Sequence, residues 1–187
     1  MDAGRLGNVA AALLLGGRMT SEPAEVDRVA VLLDALFEEL LRVGGDPASS
    51  APGRHVAPSE ASASPLSLLS DALAAASCAR VLVVPADRPP PTVDLLLALT
   101  AWPEQAAVVA FGDDADRPLA ALYRSEDVLP ILHRELAHDR SELSALHDRI
   151  EVDRVTLASL GIEAIDQTGL TPDRRASATR SVLPEGA

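Results

Sequence analysis

The stretch Arg80-Val81-Leu82-Val83-Val84-Pro85-Ala86-Asp87-Arg88-Pro89-Pro90-Pro91 constrains the fold of this chain more than any other. Val81 to Val84 are four aliphatic residues in succession, with no polar alternation. A strand with one solvated face needs alternation, whereas a parallel strand covered on both faces does not, so the run predicts a central strand of an α/β sheet. Asp87 stands just past its C-terminal end, and the prolines that follow cannot continue a hydrogen-bonded ladder. Ligands of open α/β sheets bind outside the carboxyl ends of the strands. A carboxylate there can hold a divalent cation against phosphate oxygens, and it can equally cap the next helix or turn. Position alone leaves both readings open.

The rest of the chain alternates between the two periodicities. Val9 to Leu15 reads as a first strand ending in the turn Gly16-Gly17-Arg18. From Pro23 to Val43 the apolar residues Val26, Val29, Ala30, Leu33, Leu36, Phe37, Leu40 and Leu41 recur at helical spacing, and Gly44-Gly45 is the expected stop. Residues 44–63 are rich in Gly, Pro, Ser and Ala and read as a long loop, with at most a short strand near His55 and Val56. Ser64-Pro65 is a cap and first-turn pair for a helix through Ser77 that carries Leu66, Leu69 and Leu73. After the Val81 to Val84 strand come a short helix from Thr92 to Leu99 and strands over Ala106 to Phe111 and Leu119 to Tyr123. Helices over Asp127 to Ala137 and Ser141 to Arg149 and a strand over Glu151 to Leu157 complete the series. This order predicts a three-layer α/β/α sandwich with a mostly parallel sheet. Residues 1–170 form one domain on this reading, and 171–187 a polar tail. Right-handed crossovers then place the Gly16-Gly17 turn and Asp87 on the same sheet edge.

Composition narrows the function classes. A net charge of −12 argues against nucleic acid or an anionic membrane as partner, since both are held by basic surfaces. Aromatic residues are 2% of the chain, so the core must be built from Leu, Val and Ala. All 16 basic residues are arginine, which removes lysine as phosphate clamp, Schiff base or general base. Cys78 alone can make neither an internal disulfide nor a cysteine-rich zinc site. The apolar run Val9 to Leu15 is too short to span a bilayer, so the chain is expected in the cytoplasm.

Several segments together resemble the MobA-like NTP transferases, the nucleotidyltransferase family that includes molybdenum cofactor guanylyltransferase. Leu13-Leu14-Leu15-Gly16-Gly17-Arg18-Met19 is similar to the family's opening strand and glycine loop, and Ser64-Pro65-Leu66 to its Gly-Pro-Leu segment. Val83-Val84-Pro85-Ala86-Asp87 resembles its strand ending in an aspartate. Arg117 to Arg124 and Arg140 to Leu143 resemble a later strand and the start of a later helix. The resemblance implies a Rossmann-like nucleotidyltransferase fold of the glycosyltransferase A type. It implies that Leu15, Gly16, Gly17 and Arg18 wrap nucleotide phosphates, that Pro65 and Leu66 approach the base, and that Asp87, as catalytic and metal residue, holds Mg2+. The implied reaction transfers a GMP or CMP unit from GTP or CTP to a phosphorylated cofactor such as molybdopterin.

The chain also departs from the family pattern. The family's loop reads Gly-Gly-x-Ser-x-Arg-Met-Gly with a catalytic lysine soon after; here Arg18-Met19 follows Gly17 directly and no lysine exists. Ser64 replaces the glycine before Pro-Leu, Ser67-Leu68 fills the position of a later glycine, and Ile165-Asp166-Gln167-Thr168-Gly169 stands for Asn-x-Asn-Thr-Pro. The region that should hold the second and third strands is mostly the 44–63 loop. These changes predict reduced or lost activity. The alternative is a non-catalytic pseudoenzyme that keeps the fold and serves as partner or assembly subunit, bound to another protein or to a second copy of itself. Asp113, Asp114 and Asp116 lack the glycine and glutamate of a calcium loop. His133, His138 and His147 lack metal-ligand pairing and are expected on or near the surface.

Overall fold

The computed structural model describes residues 5–16, 23–59, 64–103, 106–112 and 118–156. Seven strands and five helices occur among them: β1 (Ala10–Leu15), α1 (Pro23–Leu36), β2 (Leu40–Gly44), β3 (Arg54–Val56), α2 (Pro65–Ala75), β4 (Arg80–Pro85), α3 (Val93–Thr100), β5 (Val108–Phe111), β6 (Ala120–Arg124), α4 (Ser125–Leu136), α5 (Leu143–His147) and β7 (Val152–Val155). The strands form one sheet in the order β3-β2-β1-β4-β6-β5-β7. The pairs β1–β2, β2–β3, β1–β4 and β5–β7 are parallel. Only β6 runs against its neighbours β4 and β5. The sheet is therefore mixed, with one reversed strand in a mostly parallel array.

Two apolar cores, one on each face, make the three layers. On one face Ala11, Leu13, Leu82, Val84 and Leu122 meet Val26, Val29, Ala30 and Leu33 of α1 and Leu95, Leu96 and Leu99 of α3. On the other Ala12, Leu14, Val81, Val83 and Tyr123 meet Leu66, Leu69 and Leu73 of α2, Val128 and Leu132 of α4 and Leu143 and Leu146 of α5. Strand residues one apart thus belong to opposite cores, which is why β1 and Val81 to Val84 of β4 are apolar at every step. Each fully buried Leu or Val contributes about 1.5–3 kcal/mol relative to exposure. The interior is aliphatic, with Tyr123 and Phe37 the largest fully buried side chains among the described residues.

The expected helix from Pro23 to Val43 is two elements. α1 ends at Leu36, and Leu40–Gly44 is β2. Helical spacing continues across the break because Phe37 and Leu40 face the same core as Leu33, while Leu41 and Val43 face the other. A short strand buried on both sides gives no alternation to betray it. β2 gains a complete ladder with β1, from Ala11↔Leu40 to Leu15↔Gly44. Gly44 and Gly45, expected to stop a helix, instead turn the chain after β2 with φ of 83° and 70°. The loop after them contains β3, paired with β2 through Leu41↔Arg54, Arg42↔His55 and Val43↔Val56. The second and third strands are therefore both present. Ser64 caps α2 as its sequence suggests, its Oγ accepting from Ser67 N–H at 3.1 Å. No helix among the described residues is long and apolar enough to cross a membrane.

Candidate functional site at the ends of β1 and β4

The sheet reverses its direction of growth between β1 and β4. The chain passes from β1 outward to β2 and β3, then returns over α2 to place β4 on the other side of β1. α1 lies on one face and α2 on the other, the arrangement in which an open α/β sheet carries its ligand crevice at the carboxyl ends of the two strands. Leu14 pairs with Pro85, and Ala86 N–H donates to Leu14 O at 3.0 Å. Gly16 and Asp87 each lie two residues beyond that pair. The topology thus brings these two residues to one edge.

Asp87 is exposed, and its carboxylate makes no hydrogen bond or ion pair among the described residues. The cap of α3 is Thr92, whose Oγ1 accepts from Leu95 N–H at 3.3 Å. Asp87 is therefore free of the capping task that its position also allowed. No group of three metal-ligating side chains occurs among the described residues. One free carboxylate still fits magnesium, which keeps waters and substrate phosphates as its other ligands.

The other site residues fall into three groups. Leu15 ends β1 half-buried, and Gly45 packs against its side chain: a Cβ there would lie 2.8 Å from Leu15 Cδ1. Pro65 is exposed in the first turn of α2, whereas Leu66 is fully buried and its N–H donates to Ser141 O at 3.3 Å. Gly17 and Arg18 lie outside the described residues, as do Asp113, Asp114, Asp116 and the 165–169 segment. Leu68 bears most directly on the crevice. A Cβ at Gly16 would overlap Leu68 Cδ1, and one at Gly44 would lie 3.6 Å from Leu68 Cδ2. The Leu68 side chain, 3% exposed, thus wedges between the ends of β1 and β2. That is the side chain the sequence places where the family has glycine.

Elsewhere the structure settles smaller points. His133 and His138 are exposed, but His147 is buried and stacks on Tyr123 with ring centroids 6.5 Å apart, so it belongs to the core. Burial pushes the Tyr123 hydroxyl well above its ordinary value. A cavity of about 290 Å³ lined by Ile131, Arg134, Glu135, His138, Arg140 and Arg149 includes none of the residues at the sheet edge. Arg42 escaped the sequence reading altogether. The signal was a lone charge inside Leu40-Leu41-Arg42-Val43, hidden because a helix interrupted by polar residues is unremarkable while a doubly covered strand is not.

Strand order, the reversed β6 and the crevice beside Asp87 define a nucleotidyltransferase fold of the glycosyltransferase A type. The sequence profile of the MobA-like NTP transferase domain matches residues 5–154, and the chain belongs to that family. Comparison with curated proteins gives no significant match. Among solved structures, the chain is similar to molybdopterin-guanine dinucleotide biosynthesis protein A from Archaeoglobus fulgidus, with 18% identity over 81% of this chain and 85% of that one and a TM-score of 0.64. It is similar to 4-diphosphocytidyl-2C-methyl-D-erythritol synthase from Anaerococcus prevotii, with 13% identity over 79% and 88% and a TM-score of 0.60. It is also similar to Rv0371C from Mycobacterium tuberculosis, solved in complex with manganese, with 15% identity over 80% and 87% and a TM-score of 0.53. At these identities the likeness establishes the fold.

Proposed function

We propose that this chain binds a nucleoside triphosphate, GTP or CTP, with Mg2+ at the Gly16–Asp87 edge and transfers its nucleotide to a phosphorylated cofactor such as molybdopterin, at a reduced rate. The observation that carries the reading is the exposed, unpartnered Asp87 carboxylate two residues past Pro85, abreast of Gly16 two residues past Leu14. Magnesium there would neutralise triphosphate charge. The backbone of Leu15, Gly16, Gly17 and Arg18 would hold the phosphates by N–H groups, and Pro65, exposed at the start of α2, would border the base with Leu66 packed beneath it. An oxygen of the acceptor phosphate would attack the α-phosphorus, and the bond to pyrophosphate would break in line. The reduced rate follows from the missing lysine. A planar arginine such as Arg18 does not reproduce a compact ammonium at a tight phosphate site.

A second reading is favoured by Leu68. Its side chain occupies space over Gly16, where a bound nucleotide needs close backbone approach. On this reading the fold is kept and catalysis lost, and the chain serves as a partner or assembly subunit. Calorimetric titration with GTP, CTP and ATP in the presence of Mg2+ separates the two. The first reading expects saturable binding of GTP or CTP, weakened about tenfold or more, roughly 1.4 kcal/mol, by Asp87→Ala. Absence of heat at millimolar nucleotide overturns it, and a stable oligomer on size exclusion would then support the second.

A further inference from the structure

We propose that Arg42 and His55 form a second anion site, separate from the Gly16–Asp87 edge, that takes a phosphate group. Along β2, Leu40 belongs to the core on the α1 face, whereas Leu41 and Val43 belong to the core on the α2 face. Alternation therefore turns Arg42 toward the α1 face. His55 is its Cα partner on β3 and shares that face, since Val56 beside it packs on the other. The two residues are therefore register partners on one face of the sheet, at the strands that the 45–53 loop joins. Ala51 of that loop packs against the same core, and a Cβ at Gly53 would lie 2.7 Å from Leu40 Cγ.

Arg42 is 4% exposed and makes no hydrogen bond or ion pair among the described residues. Its Nε is buried and unpartnered, and so is Nε2 of His55. Two orphan nitrogens on adjacent strands are a joint anomaly, because buried polar groups are almost always bonded. Arginine cannot relieve the situation by losing its proton. Burying Nε without a partner is unfavourable, and an apolar residue of similar size would fit the run Leu40-Leu41-x-Val43 without that cost. The chain carries 28 carboxylates, yet none of the described ones reaches this guanidinium. An anion from solution completes the site. The guanidinium fork offers two N–H donors to two oxygens of one group, and the imidazole nitrogen offers a third contact when it carries the proton. A tetrahedral phosphate has the oxygens for all three.

The test is the thermal midpoint of the full chain in inorganic phosphate against NaCl of matched ionic strength, without magnesium or nucleotide. Phosphate is expected to raise the midpoint by several degrees. Arg42→Met is expected to abolish that rise, His55→Ala to reduce it, and Asp87→Ala to leave it intact, which separates this site from the nucleotide reading. Titration of the arginine Nε–H signals by NMR gives a readout that does not depend on the variants folding: the Arg42 signal is expected to move with phosphate. A rise that persists in Arg42→Met, or an Arg42 signal that stays still, overturns the proposal. So does an unresponsive wild type with a destabilised Arg42→Met, which would show that a carboxylate of this same chain neutralises the guanidinium.

Discussion

Gly16 and Gly44 are small for different reasons, and the difference can be measured. At Gly16 the obstacle to a Cβ is the end of a flexible side chain, Leu68. At Gly44 it is the Leu15 carbonyl oxygen at 2.8 Å, on a backbone with φ of 83°. Gly16→Ala is therefore expected to cost about 1–3 kcal/mol by overpacking, and less by about 1 kcal/mol or more in a Leu68→Ala background. Gly44→Ala is expected to cost about 1–2 kcal/mol from its left-handed backbone alone, in either background. Chemical denaturation of the three single variants and the two double variants that include Leu68→Ala measures these couplings. Equal penalties for Gly16→Ala with and without Leu68 would remove Leu68 from the crevice. That a glycine follows the first strand was legible in the sequence. The identity of what presses on it was not, because Leu68 is distant in the chain and is brought there by α2.

Glu39, in the short link between α1 and β2, ties β2 to β3 and to the segment after α2. Its carboxylate accepts from Ser77 N–H at 2.9 Å, from Ser77 Oγ–H at 2.6 Å and from Arg54 at 3.1 Å. Burial alone would push this carboxyl up, but the Ser77 hydroxyl and amide and the Arg54 guanidinium together outweigh it and hold the group below its usual value of 4.5. A carboxyl depressed in the folded state stabilises the fold above the unfolded value and loses that contribution as pH falls through the folded one. Stability is thus expected to be level in this respect at neutral pH and to decline below about pH 4.5, less steeply in Glu39→Gln. At neutral pH Glu39→Ala is expected to cost about 1.5–3 kcal/mol, the worth of hydrogen bonds to a charged group. Denaturant melts at pH 7 and pH 4 check both statements, and identical slopes for wild type and Glu39→Gln would contradict them. Elements whose period is local, such as α2 with its Ser64 cap, could be read from the sequence. The α1–β2 boundary could not, since Phe37 and Leu40 keep a helical rhythm while pairing partners far along the chain decide that Leu40–Gly44 is a strand.

For the whole molecule, the sheet order predicts how stability is distributed. β1 and β4 lie inside the sheet with both faces buried, whereas β3 is a three-residue edge strand with exposed or half-buried side chains. Backbone amides of β1 and β4 are expected to exchange with deuterium only through global unfolding, and those of β3 through local opening at a much lower free energy. Equal protection of β3 and β1 would mean that the edge is covered in solution. By itself the sequence determined the α/β class, the first strand up to Leu15 and the buried strand before Asp87, because each depends on contiguous residues whose periodicity is local. Only the tertiary structure decided that β6 runs backwards, that β2 exists, that Thr92 and not Asp87 caps α3, and that Arg42 is buried beside His55. Each of those depends on which strands become neighbours, and pairing between distant segments is set by the packing of two cores on one sheet.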